Sequence, residues 1–444
     1  MRKCLSLLFL FLISNVFSQE NEYFIEANFD VNNRLVEIYQ TIDFTNTTSN
    51  SLNYIILNDW AHSYSNPKTP LGKRLSEDFT LNFQRSTKNQ RGFTNIIHIK
   101  SDSIILEHTR LKVNIDLVKV KLSNALKPNQ KIRINIKYNI KIPISDFTGY
   151  GIDKENNINL SEWFITLAKV VDNDWLIESN LDLNDNSLDP SFYKFKITYP
   201  LKFKLISDFK IDSVITSDTF KTLISEKEKR IYNPIIITNK KSFESFKLKN
   251  NTVITDIGNI KKNKTDSLIY KVISYVDNKT GNKLISKPDS NDSLNFDLIL
   301  NKTFNYVESK LGIYPINNMV LSKFNQDKDP VYGLNNIPEL LNPFDNTFIQ
   351  EFSVLKLVIS SYLNNLYPIH KRKNYWQLKG IEVFLLIDYI EKYYPELNLI
   401  GKFSKLSIIK NREYSNFKFN DQYRIFDNII TSRNISQPID SPID

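Results

Sequence analysis

At 444 residues, 41 % of them apolar, the chain can bury a large core and has the size of a two-domain protein. Its net charge of +9 comes from 58 basic and 49 acidic residues spread along the sequence, with no basic block interleaved with aromatics, which argues against a nucleic-acid surface. Cys4 is the one cysteine, so a disulfide framework is excluded, and the ten glycines form neither a phosphate loop nor a Gly-x-Ser-x-Gly elbow.

The chain opens with Met1-Arg2-Lys3, the apolar run CLSLLFLFLISNV, and Val16-Phe17-Ser18 ahead of Gln19. That is the layout of a secretory signal peptide over residues 1–18. The run is too short to cross a bilayer comfortably. The expectation is export without a transmembrane anchor, ending in the periplasm, at the cell surface or outside. The mature chain then carries no thiol.

Residues 19–255 read as β structure. In KIRINIKYNIKIPI, Ile132, Ile134, Ile136, Tyr138, Ile140, Ile142 and Ile144 alternate with polar residues. Successive strand side chains point to opposite faces, so this is one apolar and one polar face. Val36, Ile38, Ile42 and Phe44 alternate likewise, as do Tyr193, Phe195, Ile197 and Tyr199, and turn clusters such as NTTSN separate the runs. An antiparallel sandwich or saddle-shaped sheet is expected.

From about residue 256 the apolar spacing becomes helical. Leu300, Phe304, Val307 and Leu311 form one stripe, with Asp292 or Ser293 as its cap and Gly312 and Pro315 after it. NNMVLSKF reads as a short strand. Helices are expected over about 346–366 and about 376–393. Strands followed by helices, in separate blocks, predict an α+β protein: a β domain to 255 and an α-rich domain over 256–444.

In this helical half stand KLVISSYLNN (356–365) and WQLKG (376–380), each with a lysine where an apolar or acidic residue would be unremarkable. Ahead of them come SKLGIYP (309–315) and VYGLNN (331–336), and in the β half LNDWAHSYSNPKTPLGKRL (57–75) and SEWF (161–164). This order of segments resembles the alanyl aminopeptidase (aminopeptidase N) family of zinc peptidases over nearly the whole mature chain. The resemblance implies an N-terminal β domain followed by a thermolysin-like, gluzincin-type domain.

The family binds zinc through His-Glu-x-x-His, eighteen further residues, and a Glu within Trp-x-x-Glu-Gly. Two His one helical turn apart and a Glu from the next helix leave a fourth position for water, which the first Glu activates as general base. Here Trp376 and Gly380 match the later segment, and eighteen residues, 361–378, separate Ser360 from Lys379. Lys356 and Ser360 therefore overlie the two histidines, Leu357 the base and Lys379 the glutamate ligand. SYLNN (361–365) resembles the segment that follows in the family. An ammonium cannot ligate zinc, and neutralising two would take large pKa shifts. The resemblance thus implies zinc, and the residues lack its ligands, so no cofactor is expected. Gly333, Leu334, Asn335 and Asn336 lie at the family's exopeptidase loop, with Asn335 in place of the Glu that holds the substrate amine. Tyr423 in FNDQYRIF is the candidate for the family's catalytic tyrosine.

Other readings are weaker. His98 and His108 flank a turn and could meet across a hairpin; His62 is isolated, and His370 reads as a surface residue between two helices. Trp163, Phe164 and Trp175 read as core packing rather than an exposed patch. Lys356 and Lys379 could instead be ordinary helix-face residues paired with Glu351, Glu382 or Asp388. The family continues beyond the point matching Asp444, so the second domain reads as incomplete. The expectation is a non-catalytic module that binds a peptide or protein. The alternative is an active zinc aminopeptidase with ligands elsewhere in the chain.

Overall fold

A computed structural model describes residues 20–183, 185–257, 296–334, 337–338, 341–366, 370–405 and 412–435. The signal-peptide segment, the cap positions Asp292 and Ser293, and Asn335 and Asn336 lie outside the described residues.

The alternating runs form the middle of a nine-stranded sheet. Its centre is β1 (Glu22–Asp30), β2 (Leu35–Thr45), β3 (Lys131–Lys141) and β4 (Ser191–Pro200), in the spatial order β4-β1-β2-β3. Pairing is antiparallel except between β1 and β4. Ile25, Ile38, Ile134, Tyr138 and Ile197 are buried on the inner face, where alternation places them. Two four-stranded sheets and the two-stranded pair Val170–Val171 with Asp174–Trp175 also belong to this β-rich half. Gln40, buried in the core, donates to Ile165 O at 2.5 Å, and Ile165 N donates to the Tyr138 hydroxyl at 3.1 Å. These bonds satisfy polar groups that would otherwise be costly to bury. Trp163, Phe164 and Trp175 are in this core, as read from the sequence.

The helical half contains α2 (Phe296–Leu311), α3 (Lys323–Lys328), α4 (Asn346–Leu366), α5 (Lys371–Tyr393) and α6 (Asp421–Ser432); a short α1 (Pro70–Glu77) lies in the β half. The stripe Leu300, Phe304 and Val307 packs in a second core with Phe352, Tyr362 and Tyr389. Helix α2 ends at Gly312, whose φ of +85° suits a helix C-terminus. The α4 bounds are those expected. Helix α5 begins five residues earlier than Trp376, across non-helical backbone at Asn374. The second core starts ahead of residue 256. The hairpin of Glu244–Lys247 and Thr252–Thr255 pairs with Asn318–Leu321, and Val253 is buried among the helical residues.

The two halves meet at Gly149. Its φ is +83°, and a Cβ there would sit 2.3 Å from Cε2 of Phe324 on α3. Gly149→Ala is expected to destabilise the protein by about 1–3 kcal/mol through left-handed strain and displacement of that ring. Denaturant unfolding reads it, with an unchanged midpoint as the contrary result.

Candidate functional site at the domain junction

Lys356 and Ser360 are one turn apart on α4, so they share a face. That face meets α5, which carries Lys379 and Glu382, three residues apart. Ser360 Oγ donates to Glu382 Oε2 at 2.9 Å, and Lys379 Nζ lies 3.0 and 3.1 Å from the two Glu382 oxygens. Asp329, just after α3, supplies the second carboxylate. Lys356 Nζ is 2.6 Å from its Oδ1, and Lys379 Nζ is 3.5 Å from its Oδ2. Lys356 also donates to the carbonyls of Asp329 and Pro330, at 3.2 and 3.3 Å. The structure thus brings Lys356, Ser360 and Lys379 together on two carboxylates.

The electrostatics of the cluster follow from its geometry. Burial works against the Lys379 charge, but Glu382, Tyr375 and Asp329 outweigh it and raise its pKa. Burial would raise the Asp329 carboxyl, but the ammonium groups of Lys356 and Lys379 hold it below its usual value. Both groups are therefore held in their charged forms. The Glu382 side chain is only 7 % exposed, so its charge needs those partners.

These groups do not fit a zinc ion. A gluzincin site needs neutral imidazoles and a free carboxylate around an open position. Here two ammonium groups face the same space, and both carboxylates are already engaged by them. Among the described residues no group of three or more His, Cys, Asp and Glu side chains could hold a metal. Leu357, expected from the sequence resemblance to overlie the base, is buried and has no group that takes a proton.

Beside the cluster lies a cavity of about 280 Å³ between the two halves. Leu357, Ser360, Lys379 and Glu382 contribute to one side, and Tyr150, Glu162 and Tyr232 of the β half to the other. Gly333 has a φ of +67°, Leu334 is buried in the second core, and neither lines this cavity. Tyr423 lies on α6, where its hydroxyl meets that of Tyr332. Burial raises its pKa, with Glu382 adding to the effect.

The histidines are dispersed, and one expectation about them, that for His370, needs correction. His98 and His108 do not face each other across a hairpin. His98 is opposite Lys137 in the large sheet and His108 opposite Val120 in a different one. His370 is not a surface loop residue. It caps α5 and lies 3.6 Å from Glu178 at the domain junction. His62 is half-buried beside Thr94, and desolvation pushes its pKa down to about 3. Glu351 and Asp388, offered as lysine partners, bind Lys302 and Lys310 instead, whereas Glu382 does pair with Lys379. Asp329 was missed because its only sequence signal is a need for counter-charge arising far along the chain.

No family profile matches the sequence, and no curated protein does. Among solved structures, an M1 zinc metallopeptidase from Deinococcus radiodurans, in a glutamate-to-alanine mutant form, superposes with a TM-score of 0.50. The identity is 10 %, over 95 % of this chain and 78 % of that one. The fold is that of the M1 zinc metallopeptidases. A structure of an M1 zinc metallopeptidase from the same organism without that mutation matches at the same identity and coverage with a TM-score of 0.49. At this identity the likeness to the M1 enzymes is one of fold.

Glu382→Gln removes the carboxylate shared by Ser360 and Lys379. It is expected to cost about 1–3 kcal/mol, the lower end reflecting the partial exposure of Lys379. Lys379→Met at the same site is expected to cost more, because it leaves the buried Glu382 charge with only the Ser360 hydroxyl, whereas Lys379 in Glu382→Gln is partly exposed and keeps Asp329. Thermal unfolding of both variants checks this order, and a reversed order contradicts the geometry.

Proposed function

We propose that the chain is an exported, non-catalytic member of the aminopeptidase group, a pseudo-peptidase that binds a peptide or protein segment in the cavity between its halves. The observation that carries this reading is the convergence of Lys356, Ser360 and Lys379 on Asp329 and Glu382. Positions that in the resemblance hold a metal and a base here hold a closed set of ion pairs. The set offers no free base: Leu357 is inert, Glu382 is bound by an ammonium and a hydroxyl, and Asp329 by two ammonium groups. Loss of the general base alone typically lowers a rate by roughly 10²–10⁴.

Binding is supported by the shape and lining of the junction. The cavity is concave and mixes tyrosine rings with amides, among them Asn180 and Asn364. Such walls suit a chain of alternating apolar and amide groups. Export rests on the Met1–Ser18 segment, and no described helix is long and apolar enough to cross a membrane.

Short unblocked peptides are expected to bind the purified mature protein in calorimetric titration and to be recovered intact, with or without a chelator. Hydrolysis abolished by the chelator would establish the zinc-enzyme alternative. Failure of every peptide to bind would remove the cavity from the account.

A further inference from the structure

Helix α1 ends in a way its sequence does not favour. Thr80 N donates to Leu75 O at 2.8 Å and Phe79 N to Ser76 O at 3.1 Å, the pair of bonds that closes a helix through one left-handed residue. That residue is usually glycine, because a Cβ there crowds the backbone. Here it is Phe79, with φ at +58°. Its side chain is 90 % exposed, so no packing within the protein offsets the strain. Leu81, two residues on, is also exposed. The segment around them is not loose. Leu71, Leu75 and Phe83 are buried in the β core, and Phe83 meets the rings of Tyr64 and Phe147 edge-on. The fold therefore fixes the chain on both sides of Phe79 and leaves its ring in solvent.

Cations gather beside that ring. Within 66–92 six basic residues stand against two acidic ones, a stronger bias than 58 against 49 in the whole chain. Three of the six are brought together by Gln84, whose Nε2 donates to Pro67 O at 3.2 Å and to Gly72 O at 2.6 Å. Each residue in that contact adjoins a cation: Lys68, Lys73 and Arg85. Lys88 follows three residues later. All four are exposed, and among the described residues none of them has a carboxylate at ion-pair distance. Of the two acids, Asp78 is taken by Arg74, and Glu77 is exposed at the end of α1. The large sheet is different: Lys131 and Arg133 share Asp43, Lys196 meets Glu26, and Lys227 meets Glu22. Positive charge that is paired there stands unpaired around Phe79.

We propose that this corner of the β half is a peripheral membrane contact, in which Phe79 and Leu81 enter an anionic bilayer and Lys68, Lys73, Arg85 and Lys88 meet its phosphates. A ring that enters the interface leaves water, and a negative surface attracts cations within a Debye length, roughly 8 Å at physiological salt. The two signals together give reversible attachment where one alone gives only marginal binding. A folded acidic partner presents carboxylates at set positions. Flexible lysines around one projecting ring suit a fluid surface whose charges move to meet them. The contact concerns the β half and stands whatever the cavity binds.

Sedimentation of the full mature chain with vesicles tests this. Vesicles of equal parts phosphatidylcholine and phosphatidylglycerol should bind it at low salt and release it as salt is raised. Pure phosphatidylcholine vesicles should bind it roughly tenfold less. Phe79→Gly should weaken binding to the mixed vesicles roughly tenfold and leave the protein at least as stable, because it removes strain and no packed ring. Lys73→Gln with Arg85→Gln should weaken binding and flatten its salt dependence. Failure to bind the mixed vesicles, equal binding to both kinds, or undiminished binding in either variant would overturn the contact. A loss of stability in Phe79→Gly would show that the ring serves the fold and would overturn it equally.

Discussion

Two lysines placed between packed helices set the terms for the helical half of this protein. Lys356 and Lys379 project from α4 and α5 towards the same carboxylate, Asp329. An ammonium removed from water without a partner is expensive, and two such groups also repel. Asp329 and Glu382 resolve this by bringing the cluster to neutrality. In doing so they tie together three pieces of chain: the segment after α3, the middle of α4 and the second half of α5. In a metal-binding protein of this shape one dication would gather such elements. Here the same gathering is achieved by side chains of the chain itself, and the space left between them favours no further cation.

The same rule of paired charge extends to the domain junction. Lys328 with Asp182, and Arg372 with Asp185, each cross from one half to the other. The cavity is bounded by charges that already have partners. A ligand that enters therefore gains little from a single net charge and more from hydrogen bonding to amides and contact with tyrosine rings. That is the physical basis for reading the cleft as a binding surface rather than a reaction centre.

Most of the fold was legible because it depends on local periodicity. The alternation in Ile132–Ile144 and the stripe Leu300–Val307 each marked an element and its buried face. The Trp376–Gly380 spacing marked which turn of α5 meets which turn of α4. What stayed hidden depends on contacts distant in sequence. Asp329 is an ordinary acid until α4 brings Lys356 beside it. His370 read as a loop residue because the helix was expected to begin near Trp376, and a start bearing Lys371-Arg372-Lys373 also runs against the usual charge preference. Asp185 of the other half supplies Arg372 at that start with a counter-charge.

The most direct measurement is zinc bound per chain after dialysis, compared between the wild type and the triple variant Lys356→His, Ser360→His, Lys379→Glu. If these three positions stand where a ligand set would, the wild type carries none and the variant takes up close to one. Stoichiometric zinc in the wild type would contradict the central claim, and a folded variant that binds no zinc would show that the three positions do not frame a metal site.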